Sequence, residues 1–149
     1  MSNGFGRRKW GGGLDDLVVL VEDDEKCRES LAYLIKAARI PLETASDGLS
    51  ASTLIRHRRP KVVVIDMYLP HRSGFEVVET LRADPILKEI FVIGLTGMAG
   101  DYDELDRVRL KCQADIVFPK PVNEETLIAS IRGRIERRET RGLRRHLQA

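Results

Sequence analysis

Four apolar runs in this chain each lead into a polar group able to do chemistry. Leu17-Val18-Val19-Leu20-Val21 runs into Glu22-Asp23-Asp24-Glu25, and Val62-Val63-Val64-Ile65 into Asp66. Phe91-Val92-Ile93-Gly94-Leu95 ends at Thr96, and Asp115-Ile116-Val117-Phe118 is followed by Pro119-Lys120-Pro121. Several carboxylates in one crevice repel one another and raise their own pKa values unless a cation compensates. Hard oxygen ligands at a partly open site suit Mg²⁺, which keeps waters and joins protein carboxylates to phosphate oxygens. Lys120 adds a point charge, and Thr96 offers a hydroxyl to an incoming oxygen. The set suits phosphoryl transfer to a carboxylate. Metal and lysine would neutralise charge on the transferring group, and the hydroxyl would bind the phosphate once it has arrived.

That chemistry requires the four polar groups to meet. The apolar runs are short and lack polar alternation, so they read as strands buried on both faces, as in a parallel sheet. Pro41 to Ala45 makes one more short strand. Between the strands, apolar residues recur at helical spacing. Cys27, Leu31, Leu34, Ile35 and Ala38 mark a helix over about 25–38, and Ala51, Leu54 and Ile55 a second one that stops before Pro60. Phe75, Val77, Val78 and Leu81 mark a third, and Leu105, Val108 and Cys112 a fourth over about 102–112. Leu127, Ile128, Ile131 and Ile135 line the last, with Asn123 as its N-cap. Five strand–helix units in strict alternation predict a doubly wound α/β fold, a parallel sheet with helices on both faces. In strand order 2-1-3-4-5 the switch point lies between the first and third strands, where Glu22, Asp23 and Asp66 would meet.

Taken together, these motifs resemble the receiver domain of bacterial two-component response regulators. They are Val-Leu-Val-Glu22-Asp23-Asp24-Glu, Val-Val-Ile-Asp66-Met-Tyr-Leu-Pro70-His-Arg-Ser-Gly74, Gly-Leu-Thr96-Gly-Met-Ala and Phe-Pro-Lys120-Pro121. The resemblance runs from about Leu17 to Ile135 and implies a flavodoxin-like three-layer sandwich. It implies that Asp66 is the phosphoacceptor, with Mg²⁺ held by Glu22, Asp23, Asp66 and the backbone carbonyl of Tyr68. Asp24 stands one place too far along for that role. Thr96 would be the switch hydroxyl, and Lys120 would pair with Asp66 or its phosphate, its bond to Pro121 being cis. Tyr68, Met98 and Val117 occupy positions that modulate the site. The implied donor is a histidine kinase or histidine phosphotransfer protein, and the implied recipient a downstream output protein. The domain would not be a conventional enzyme, since its phosphotransfer and dephosphorylation are slow and act on itself. The resemblance also allows a dimer through the face of the fourth and fifth helices.

The chain departs from the family pattern in places. An aromatic residue usually stands three positions before the lysine, and its ring turns inward when the threonine moves to the phosphate. Val117 stands there, and Phe118 points the other way along the strand. Gln113 replaces a helix-ending glycine, a site that favours positive φ. The segment from Thr96 to Lys120 is about two residues longer than is usual for the family. Tyr68 places a ring over the site, and His71 reads as a surface histidine. Val117 favours a second reading, a phosphorylation-independent interaction module with a receiver fold. A nucleotide binder would need a phosphate-cradling loop after the first strand, where this chain has acids. An aspartyl phosphatase would need an Asp where Tyr68 stands.

Composition bounds these readings. A chain of 149 residues, 42% hydrophobic and 32% charged, fits one globular domain. The expected division is a flexible basic leader over 1–13, the domain over 14–138 and an Arg-rich tail over 139–149. The net charge of +2 conceals basic ends. Residues 1–13 carry three basic groups and no acid, and residues 132–149 carry seven Arg against Glu136 and Glu139. The body is acidic, which makes nucleic acid an unlikely partner. Cys27 and Cys112 form neither a disulfide framework nor a metal motif and read as core thiols. No apolar run approaches a membrane span, and the leader lacks a signal peptide's apolar region, so the cytoplasm is the expected compartment.

Overall fold

The structure, a computed structural model, describes residues 16–97 and 102–147, with side chains described for 16–97 and 103–136. Its elements alternate as β1 (Val18–Val21), α1 (Glu25–Ala37), β2 (Leu42–Ala45), α2 (Gly48–Arg58), β3 (Val62–Asp66), α3 (Gly74–Ala83), β4 (Phe91–Thr96), α4 (Tyr102–Lys111), β5 (Ile116–Pro119) and α5 (Glu124–Leu147). The five strands form one parallel sheet in the order β2-β1-β3-β4-β5. The doubly wound architecture expected from the alternation is therefore present.

Alternation along the strands builds two cores, because successive side chains of a strand face opposite ways. Val19, Val21, Val63, Ile65 and Val92 pack with Ile55, Val77, Val78, Leu81 and Val108. Val18, Leu20, Val62, Val64 and Ile93 pack on the other face with Leu31, Ile35, Leu127 and Ile131. Each fully buried aliphatic side chain contributes about 1.5–3 kcal/mol. The result is a rigid sheet that holds its strand ends in a fixed arrangement.

Side-chain caps start the helices beside that edge. Asp24, Asp47 and Ser73 accept the backbone N–H groups of Cys27, Ser50 and Glu76. Asn123 accepts from the N–H of Thr126 at the start of α5. Glycine is required twice near the strand ends. A Cβ at Gly74 would stand 2.4 Å from the Asp66 carbonyl oxygen, and one at Gly48 would stand 2.0 Å from that of Arg72. The chain between β3 and α3 thus folds back against the end of β3, closed by the Gly74 N–H donating to the Met67 carbonyl at 3.0 Å. His71 in this loop is exposed and left-handed, with φ of 66°.

The fold corrects several sequence boundaries. The last helix does not give way to a tail near 138 but continues to Leu147. Its second half is rich in Arg, Glu and Leu, good helix formers, and Gly142 alone costs only about 1 kcal/mol there. α4 stops at Lys111, so Cys112 lies beyond it, and both cysteines are only partly buried. Gln113 is not among the residues with positive φ, so no glycine is needed there, and Arg82 Nε donates to its carbonyl at 3.0 Å. The leader over 1–13 lies outside the described residues.

Candidate functional site

At the carboxyl edge of the sheet, β3 delivers Asp66 between the ends of β1 and β4. Glu22 and Asp23 follow β1 directly, and carboxylate oxygens of Glu22, Asp23 and Asp66 all lie within 4.8 Å of one another. Glu22 and Asp66 are buried and Asp23 is exposed, so the cluster opens to solvent on one side. Asp24 is not part of it; its carboxylate caps α1 by accepting the Cys27 N–H at 2.7 Å.

Lys120 closes the crevice from the end of β5. Its ammonium donates to Asp66 Oδ2 at 2.7 Å and to Glu22 Oε2 at 2.5 Å. The Lys120 backbone N–H donates to the Thr96 carbonyl at 2.7 Å, which fixes the end of β5 against that of β4. The Lys120–Pro121 peptide is cis, as the resemblance implied. Burial works against the ammonium, but the hydrogen bonds and charges of Asp66 and Glu22 outweigh it and hold its pKa well above the usual lysine range. Burial also pushes the Glu22 carboxyl up, as does the charge of Asp66, and the hydrogen bond from Lys120 offsets only part of this. One lysine thus serves two carboxylates, and the pair still carries uncompensated acidity. A divalent cation of oxygen preference fits such a donor set.

Thr96 is wholly buried at the end of β4, and its Oγ1 has no hydrogen-bond partner among the described residues. A buried hydroxyl without a partner calls for an explanation. Tyr68 lies on the opposite lip. Its backbone N–H donates to Asp66 Oδ1 at 2.9 Å, while its ring makes a T-shaped contact with that of Phe75. Its hydroxyl donates to Glu104 Oε1 on α4 at 3.1 Å. Burial, then that hydrogen bond, hold the Tyr68 hydroxyl above its usual pKa. Val117 is buried on the α2–α3–α4 side, whereas Phe118 packs partly into the opposite core, the opposed directions expected along a strand. Met98 lies outside the described residues.

Two contacts at this site escaped the sequence reading. Arg28 donates from α1 to the carbonyls of Glu22 at 3.0 Å and Asp23 at 3.4 Å, tying down the acidic corner. Its place one turn into α1, beside a run of acids, was the available signal. Glu104 gave none, for its pattern on α4 is that of an ordinary solvated acid beside Leu105.

The family described as response regulator receiver domain matches residues 18–132. The chain is 35% identical over 116 residues to the polar-differentiation response regulator DivK of Brucella anthropi, covering 77% of this chain and 92% of that one. It is 30% identical over 122 residues to the DNA-binding response regulator MtrA of Mycolicibacterium smegmatis, covering 82% of this chain. The chain spans about half the length of the MtrA relatives, 51% in this case. Among solved structures, it is similar to the receiver domain of a sensor histidine kinase from Pseudomonas aeruginosa, with a TM-score of 0.72 and 20% identity over 80% of this chain and 97% of that one. That protein has a magnesium ion coordinated in its active-site cleft.

Proposed function

Because this chain belongs to the response regulator receiver family, we propose that its Asp66 accepts a phosphoryl group from a phosphohistidine of a histidine kinase or histidine phosphotransfer protein. The observation that carries this reading is the buried Thr96 hydroxyl, which lacks a partner among the described residues and stands at the end of the strand adjacent to that of Asp66, whose carboxylate is held by the Tyr68 N–H and Lys120. A phosphoryl oxygen on Asp66 would supply that partner.

In the transfer, a carboxylate oxygen of Asp66 attacks phosphorus, the P–N bond breaks, and the electron pair leaves on the donor imidazole. The Asp66 carboxylate is presented by a rigid strand end and oriented by the Tyr68 N–H and Lys120. The Lys120 ammonium, held charged, neutralises negative charge that develops on the phosphoryl oxygens. Glu22, Asp23, Asp66 and the Tyr68 carbonyl are the groups that would hold Mg²⁺, which when bound neutralises charge on the transferring group. The phosphorylated domain would then act on a downstream output protein, or pass the phosphate on.

A second reading rests on Val117. With valine where the family has its moving ring, the fold would serve as an interaction module that does not depend on phosphorylation. Intact mass after incubation with a small phosphodonor, with and without Mg²⁺, separates the two. The acceptor reading expects one added phosphoryl group that needs Mg²⁺ and is absent from Asp66→Ala. An unmodified wild type with every donor leaves the interaction module.

A further inference from the structure

Tyr68 joins the acceptor loop to a helix far along the chain. Its backbone N–H is held by Asp66 Oδ1 at 2.9 Å, and its ring stands 5.9 Å from that of Phe75, nearly perpendicular at 74°. Its hydroxyl then reaches Glu104 Oε1 on α4, 36 residues away in sequence, at 3.1 Å. The other Glu104 oxygen faces Arg107 NH1 at 3.4 Å, one turn further along α4. The Glu104 side chain is only 19% exposed, and a hydrogen bond to an ionised carboxylate in such a setting is stronger than one between neutral groups. Tyr68 is 47% exposed, yet it is tethered at the backbone, the ring and the hydroxyl.

Below Thr96, on the opposite wall, α4 meets β5 through the Arg109 guanidinium, which donates to the Val117 carbonyl at 3.5 Å, while the side chains there are apolar. Gly94 on β4 pairs in register with Val117 on β5. Met67 Sδ lies 3.0 Å from where a Gly94 Cβ would stand, and Val117 Cγ2 lies 3.4 Å from it. Apolar atoms close this wall, and close-packed apolar walls do not deform gradually.

We propose that the Tyr68–Glu104 hydrogen bond carries a change at Asp66 to α4, with Glu104 as the positioning residue that makes the α4 surface responsive. The inference rests on Asp66 being the acceptor. Phosphorylation turns the Asp66 carboxylate, whose Oδ1 now accepts the Tyr68 N–H, into an acyl phosphate and adds strong acceptor oxygens beside that N–H. The backbone at residue 68 shifts in response, and the hydroxyl draws Glu104 and its turn of α4 along. The two arrangements of α4 then differ in population according to the state of Asp66.

The test is amide NMR of the full chain with saturating beryllofluoride and Mg²⁺, comparing wild type with Tyr68→Phe, Glu104→Ala and Glu104→Gln. Amides at Asp66 and Thr96 report occupancy, and those at Glu104, Leu105, Arg107 and Val108 report α4. Wild type is expected to shift at both places. Glu104→Ala is expected to keep the shifts at Asp66 and Thr96 and to lose most of those on α4, and Tyr68→Phe, which removes only the hydroxyl, is expected to lose the same α4 shifts. Glu104→Gln, which keeps an acceptor oxygen for the hydroxyl, is expected to retain them in good part. Full α4 shifts in both Tyr68→Phe and Glu104→Ala would overturn the proposal, as would a wild type that shifts at Asp66 and Thr96 but not on α4. A wild type with no shift at Asp66 or Thr96 would remove the acceptor reading and this proposal with it.

Discussion

A hydroxyl buried without a partner, as Thr96 Oγ1 is among the described residues, costs a folded protein about 1–3 kcal/mol of desolvation. Thr96→Val keeps the shape and removes the polar atom. It is therefore expected to raise the urea midpoint of the unmodified protein while weakening beryllofluoride binding. A lowered midpoint would mean that the hydroxyl has a partner in the free protein. Lys120→Met should act the other way, because it leaves Glu22 and Asp66 facing each other without a cation. Lost hydrogen bonds to charged groups are worth about 1.5–3 kcal/mol. The pKa of Lys120 is raised by folding, so its contribution is complete below the unfolded value of 10.5 and is lost as pH climbs from there through the folded value. The stability gap between wild type and Lys120→Met should stay level from neutral pH to that point and narrow above it. Chemical denaturation across the alkaline range would show this, and a gap that closes already near neutral pH would contradict it. Glu22, Asp23, Asp66, Thr96 and Lys120 were all legible in the sequence because each stands at the end of an apolar run. Glu104 was not, because its contact depends on how α4 packs against a loop 36 residues away.

The elements were legible for a related reason. Strands buried on both faces leave continuous apolar runs, and helices on a sheet leave a one-sided apolar pattern. Element ends were less legible, since capping and tertiary contacts decide them. Nothing in composition separated an Arg-rich helix from an Arg-rich tail, so α5 was expected to end some nine residues early. The close return of the loop after β3 was hidden too, for a glycine in a sequence does not announce which backbone it faces. At Gly74 that backbone belongs to Asp66 and Met67. Gly74→Ala should force the two apart, at about 1–3 kcal/mol for an overpacked contact. It should also slow modification of Asp66, because the loop that orients its carboxylate would move. Equal stability and an equal rate in the variant would show that the loop has room.

At the scale of the molecule, two apolar cores clamp one sheet and leave its carboxyl edge to carry the chemistry. Among the described residues, no helix is long and apolar enough to cross a membrane. The strand order places Glu22, Asp23, Asp66, Thr96 and Lys120 at the carboxyl ends of neighbouring strands, β1, β3, β4 and β5. That order could be argued from the alternation of strands and helices, whereas the direction of the Tyr68 ring could not. The central claim is that the phosphoryl group is carried by Asp66. Borohydride reduces an aspartyl phosphate to homoserine, so treatment after phosphodonor and Mg²⁺, followed by peptide mass mapping, reads the acceptor directly. The account predicts homoserine at position 66 and at no other carboxylate. Reduction at position 22 or 23, or at none, would contradict it.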